Sequence, residues 1–227
     1  MTRAAARIAD CADAGAEPAR DCGLCPRLVE YRNRNEGDYP DYFNGPAPSF
    51  GPHSARLLIV GLAPGLHGAN RTGRPFTGDY AGDLLYATMI KFSFARGTYD
   101  ARPDDGLTLV DAMISNAVRC APPENKPTTA EIRTCRAFLA ERIARLPRLR
   151  AILCLGRIAH DSTLAALGLR AKDAPFAHGA EHEIGSGRVL FDSYHCSRYN
   201  TNTGRLTDTM FEQVFQSARR RLDGANA

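Results

Sequence analysis

Four cysteines are the first residues in this chain whose type and spacing could do chemistry. Cys22 and Cys25 form a C-x-x-C pair, and Cys120 and Cys135 follow far downstream. Four thiolates brought together can hold zinc or an iron–sulfur cluster, and spacing alone does not choose between them. A C-x-x-C pair can also act by itself as a thiol-redox site, and Cys120 and Cys135 can be no more than small buried residues. Cys154 lies inside an apolar run and reads as core, whereas Cys11 lies in an N-terminal arm and reads as inert.

Three polar segments offer further chemistry. The first, GLAPGLHGANRTGRPFTGD over residues 61–79, combines glycines with a loop aromatic, Phe76, and a carboxylate, Asp79. Glycines let backbone N–H groups approach a ligand closely, and a loop phenylalanine can stack on a flat base. Asp79 can cap the following helix, or it can orient water and stabilise a cation. The second segment, 115–128, carries Asn116, whose amide offers both a donor and an acceptor to a pyrimidine edge. The third, 193–207, groups His195, Ser197, Arg198 and Arg205. Arginines and a serine suit phosphates, although each can equally belong to a solvated face.

These segments need elements to position them. Apolar runs predict strands over 56–60, 112–118, 151–155 and 188–192. Helical spacing predicts helices over 79–93, 157–167 and 207–222, with Met210, Phe211, Val214 and Phe215 on one face of the last. Thr128 and Glu131 form a capping-box pattern opening another helix, to about 145. Residues 33–54, rich in Gly, Pro, Asn and Asp, read as a long loop. Alternating strands and helices predict a mainly parallel four-stranded sheet covered on both faces, with ligands bound beyond the carboxyl ends of its strands. The polar segments lie largely at those ends.

The 227 residues, 44% hydrophobic and 24% charged, suit a globular fold with a sizeable core. The net charge of +4 permits a nucleic-acid partner without requiring one. No apolar run approaches the roughly 18 residues of a membrane span, and the N-terminus lacks an apolar signal core. A cytoplasmic monomer is the expectation, and in that reducing compartment seven cysteines are not a disulfide framework.

Taken together, the C-x-x-C, the 61–79 segment, NAVRCAPPENKPT at 116–128 with Cys135 beyond it, and SYHCSRYNTNTGRLT at 193–207 resemble the uracil-DNA glycosylase superfamily. The nearest resemblance is to its fifth, type-B iron–sulfur family, over roughly residues 20–220. Leu62, directly before Ala63-Pro64, separates the chain from the sister fourth family, which has an acidic residue there.

The resemblance implies a three-layer αβα sandwich: a short arm or helix over 1–20, then a single domain over 21–227. It implies a structural [4Fe–4S] cluster on Cys22, Cys25, Cys120 and Cys135. It implies DNA carrying uracil or other deaminated bases as partner, base flipping, and free uracil as product. Phe76 matches the aromatic that stacks on the flipped base, Asn116 the base-contacting asparagine, and His195 the histidine of a His-Pro-Ser motif. Gly61, Leu62, Ala63 and Gly65 match the loop that meets the base and the attacking water. Ser197, Arg198 and Arg205 are the expected DNA contacts, and Asp79, His195 and Asn116 the expected catalytic set.

Two departures from the family pattern carry expectations. Ala63 replaces the polar residue that many relatives use to position water, which turns attention to Asp79. It also leaves room for larger bases such as hypoxanthine or etheno-cytosine. Cys196 stands in place of proline, so the loop should be looser and Cys196→Pro should improve turnover or stability. The rival readings are a zinc-stabilised, non-catalytic nucleic-acid-binding module and a thiol-redox enzyme using Cys22 and Cys25.

Overall fold

The computed structural model describes residues 15–224. Of the expected arm only 15–20 fall among them, and Cys11 does not. Among the described residues seven strands form: β1 (Leu57–Gly61), β2 (Ala95–Arg96), β3 (Thr108–Leu109), β4 (Ala112–Asn116), β5 (Ala151–Leu155), β6 (Glu181–Glu183) and β7 (Val189–Ser193). β2 and β3 make a separate small antiparallel pair. The other five build the central sheet in the order β4-β1-β5-β7-β6. The four expected strands are its parallel members, and β6 adds a fifth, antiparallel, at the edge beside β7. Its Glu-His-Glu sequence has no apolar alternation, so only pairing with β7 makes it a strand.

The helices are α1 (Pro26–Asp38), α2 (Ala69–Thr72), α3 (Tyr80–Lys91), α4 (Thr129–Ala144), α5 (Arg157–Ala166), α6 (Arg198–Asn202) and α7 (Asp208–Gly224). α1 corrects the expectation of a loop from residue 33. It starts at Pro26, a residue suited to a first helical turn, but buries only Leu28 and Asn35, too few apolar positions to show a period.

β1 is buried along its whole length, and the side chains of a strand alternate between faces. Leu57 and Ile59 pack with Leu85, Met89, Phe211 and Phe215 of α3 and α7. Leu58 and Val60 pack on the other side with Leu139, Ile143, Ala159 and Leu164 of α4 and α5. These two cores make the three αβα layers. Among the described residues no helix is long and apolar enough to cross a membrane.

The capping box forms as expected. Glu131 N–H donates to the Thr128 hydroxyl at 3.2 Å, and Thr128 N–H donates to Glu131 Oε2 at 2.7 Å. Arg27 of α1 grips the same carboxylate at 2.8 and 2.7 Å, tying the C-x-x-C helix to α4.

Candidate active site

The parallel register sets Gly61 beside Asn116 at the carboxyl ends of β1 and β4. Beyond these ends a small recess is lined by Ala63, Gly65, Phe76, Asp79, Asn116 and His195, together with Pro64, Ala69 and Ala81. Three segments far apart in sequence therefore converge on one space. A Cβ on Gly61 would stand 2.7 Å from the Phe76 ring, so only glycine admits the ring here.

Asn116 is 3% exposed and lines the recess. Phe76 is also buried, with its backbone in the left-handed region at φ 52°. Such a conformation in a non-glycine residue must be held by its surroundings. Tyr86 donates its hydroxyl to the Pro75 carbonyl at 2.6 Å, and Tyr99 donates to the Phe76 carbonyl at 3.2 Å. Arg74 donates to the Thr77 hydroxyl at 2.7 Å and forks onto Asp105 at 2.8 and 2.7 Å.

Asp79 is the N-cap of α3, accepting from Gly82 N–H at 3.3 Å. The carboxylate caps the helix and also lines the recess. Burial pushes its carboxyl above the ordinary range, against the opposing pull of the Gly82 and Ala81 N–H groups. The His195 ring lies 5.9 Å from Phe76, nearly parallel to it. Burial drives its imidazole down to about 4, so the ring is neutral at physiological pH. Asn200 steadies this loop by donating to the His195 carbonyl at 2.8 Å.

The recess opens into a cleft of about 520 Å³ that adds Leu62, His67, Tyr80, Asn125, Ser197 and Arg198. Ser197 is the N-cap of α6, and the Arg198 guanidinium lies 5.2 Å from the centre of the Tyr80 ring. Arg205 is not brought together with these two. It lies over Tyr194 in a separate cleft that also holds Arg157 and Phe176, and His195 stands between the two spaces. Asn125 and His67 escaped the sequence reading because an isolated polar residue between elements carries no period, and Tyr80 because it reads only as the first residue of a helix.

Cys196 departs from the expected loosening. It is fully buried, and its thiol donates to the Ala81 carbonyl at 3.4 Å, tying the His195 loop to α3. Cys196→Pro would stiffen φ but break this tie, so its expected gain is offset.

The four cysteines Cys22, Cys25, Cys120 and Cys135 line one cavity with Leu24, Leu28, Val118 and Phe138. No set of three or more His, Cys, Asp or Glu side chains among the described residues is arranged to hold a metal ion. Burial, with the neighbouring thiols, pushes Cys120 up to about 12; burial also pushes Cys135 up to about 11. Cys135 Sγ accepts from Arg119 N–H at 3.3 Å. Cys154 is fully buried in the sheet, as expected of core.

The family model of the uracil DNA glycosylase superfamily matches residues 48–219. The chain is 46% identical over 204 residues to the type-5 uracil-DNA glycosylase of Thermus thermophilus, covering 88% of this chain and 93% of that protein. It is 42% identical over 208 residues to the type-5 enzyme of Mycobacterium tuberculosis, covering 88% and 77%. The type-4 uracil-DNA glycosylase of Pyrobaculum aerophilum is 31% identical over 157 residues, covering 69% and 66%.

Proposed function

Since the chain belongs to the uracil DNA glycosylase superfamily, we propose that it hydrolyses the N-glycosidic bond of uracil in DNA. Free uracil leaves and an abasic site remains. The observation that carries the reading is the recess where Phe76, Asn116, Asp79 and His195 converge at the strand ends. A base inside a duplex cannot reach such a recess, so the nucleotide must flip out.

Each side chain has a task that its chemistry supports. Phe76 offers a face to the flipped base, and the Asn116 amide offers a donor and an acceptor to its edge. As the bond breaks, the base gathers negative charge and the sugar positive charge. Neutral His195 can donate to the base carbonyl where charge develops, without needing an acidic pH. The Asp79 carboxylate stabilises the sugar cation and positions water, which adds to the sugar carbon as the base departs; DNA phosphates add to the cation's stabilisation. Arg198 and Ser197 at the cleft rim suit phosphates of the same strand. Action on DNA supports a place at the nucleoid in the cytoplasm.

Incubation with a uracil-containing duplex, followed by alkaline cleavage, tests the reading. Strand scission at the uracil position is expected; an uncut strand would overturn it. Ala63, a small residue on the recess wall, supports action on hypoxanthine and etheno-cytosine as well, and the same assay on those lesions decides it.

The donor set of the second cavity fits an iron–sulfur cluster. Four thiols and no carboxylate line one apolar space. Cys22, Cys25, Cys120 and Cys135 would hold the cluster, whose chemistry here is structural cross-linking. These thiols join the start of α1, the exit from β4 and the body of α4. Cys135→Ala is expected to purify without the iron and sulfide of the wild type and to unfold at a lower temperature, by elemental analysis and thermal melting. Full iron content in the variant would remove Cys135 from the ligand set.

A further inference from the structure

Beside the cleft, three aromatic side chains stand together outside the hydrophobic cores. Tyr39, at the end of α1, stacks on Tyr42 with ring centroids 4.8 Å apart and planes 19° from parallel. His67, from the turn after β1, meets both rings edge-on at 5.6 and 6.0 Å. Its Nδ1 lies 3.1 Å from the Tyr42 hydroxyl. Both tyrosines are half-buried and His67 is exposed. His67 also lines the cleft that holds Asp79 and His195. Arg71, exposed beside it, donates to the His67 carbonyl at 2.9 Å.

Scattered surface aromatics need no explanation, but this group is not scattered. The rings are locked to one another by stacking and by the hydroxyl–imidazole contact. Yet they leave aromatic surface in solvent that a core would have covered. A rigid, partly open aromatic platform with an adjacent guanidinium is complementary to a nucleobase and its phosphate. A strand whose uracil occupies the recess has such a base to offer. When uracil swings out, the neighbouring base loses a stacking partner.

We propose that Tyr39, Tyr42 and His67 form a second stacking subsite. It receives an unpaired nucleobase of the uracil-bearing strand, next to the flipped uracil, with Arg71 beside its phosphate. This rests on the uracil-DNA reading of the adjoining recess. A base still paired in a duplex is not free to enter, so the subsite strengthens binding to single strands more than to duplexes.

The test uses the whole protein and an oligonucleotide carrying 2-aminopurine on one side or the other of a 2′-fluoro-deoxyuridine, which resists cleavage. The wild type is expected to quench the 2-aminopurine at one of these positions in single strands. Tyr39→Ala should abolish that quenching and raise Kd for the single strand by about tenfold, while the duplex Kd stays within about twofold. Tyr39→Phe, which retains a ring, should restore both. Quenching that persists in Tyr39→Ala, or an equal loss of affinity for both DNA forms, would overturn the subsite. His67→Ala, a surface change, gives the same reading should Tyr39→Ala fail to fold. Abasic product from an ordinary uracil strand is scored separately: its absence overturns the glycosylase reading, whereas release without quenching overturns the subsite alone.

Discussion

Asp79→Asn is expected to slow uracil release by about 100- to 1000-fold at unchanged DNA affinity, the usual cost of removing one preorganised electrostatic group. The substitution is chosen because Asp79 does two things. It caps α3 through Gly82 N–H, and asparagine caps a helix about as well as aspartate. The fold is therefore retained while the negative charge is lost. Gly65 and Gly68 let the chain pass close to this carboxylate; a Cβ on Gly65 would stand 3.4 Å from Asp79 Oδ2. The pH profile should separate the roles further. Burial raises the Asp79 carboxyl, so the rate of the wild type falls as pH drops through a value above the ordinary carboxylate range. His195, driven down to about 4, adds no limb near neutrality. Asp79→Asn should lack the Asp79 limb.

The sign for stability is opposite to that for activity. A carboxyl raised on folding costs stability, fully above its folded value and not at all below its unfolded one. Asp79→Asn should therefore unfold at an equal or higher temperature at neutral pH, a trade of stability for function that catalytic groups commonly show. A variant that keeps the wild-type rate with unaltered DNA binding would remove Asp79 from the mechanism.

Arg74→Ala is expected to destabilise the fold by about 3 kcal/mol in denaturant unfolding, because it leaves the Asp105 carboxylate buried with only the Asp100 and Leu107 N–H groups as partners. The Asp105 side chain has no exposure and that of Arg74 only 6%. The Arg74 fork holds Asp105 well below the usual carboxylate range. That contribution is present above the ordinary aspartate value and is lost as pH falls through the lowered one. Arg74→Ala should thus lose more stability at neutral pH than in strong acid. The same arginine holds Thr77, one residue from Phe76, so KM for uracil-DNA should rise along with the loss of stability. Asp105→Asn in the Arg74→Ala background should recover part of the stability, since the uncompensated charge is then gone; no recovery would sink the account.

What could be read from the residues, and what could not, divides on distance. The four parallel strands were legible because each is a short apolar run, and the recess was legible because β1 and β4 end in Gly61 and Asn116. Phe76 stood out as an aromatic among prolines and glycines. The devices that hold it did not. Arg74 and Asp105 are 31 residues apart, and Tyr99 reaches Phe76 from a different segment. α1 was hidden by its polarity and β6 by its shortness. That Arg205 lines a different cleft from Ser197 was not legible, because chain proximity says nothing about which side of His195 a turn will send a residue. Cys196 looked like a loosened loop because the Ala81 carbonyl that receives its thiol comes from elsewhere in the chain.

The clasp between α1 and α4 bears on how the molecule is assembled. Arg27 and Glu131 are 104 residues apart in the chain, and Cys22 and Cys25 are similarly remote from Cys120 and Cys135. Closing so long a loop is entropically costly until the intervening chain has become compact. The sheet between them is itself made of non-local parallel pairings, which form slowly. Arg27 and Glu131 should therefore meet only once the chain between them has become compact, so the clasp reports the finished sheet rather than seeding it. The four thiols, which line one cavity beside this clasp, are drawn together by the same closure.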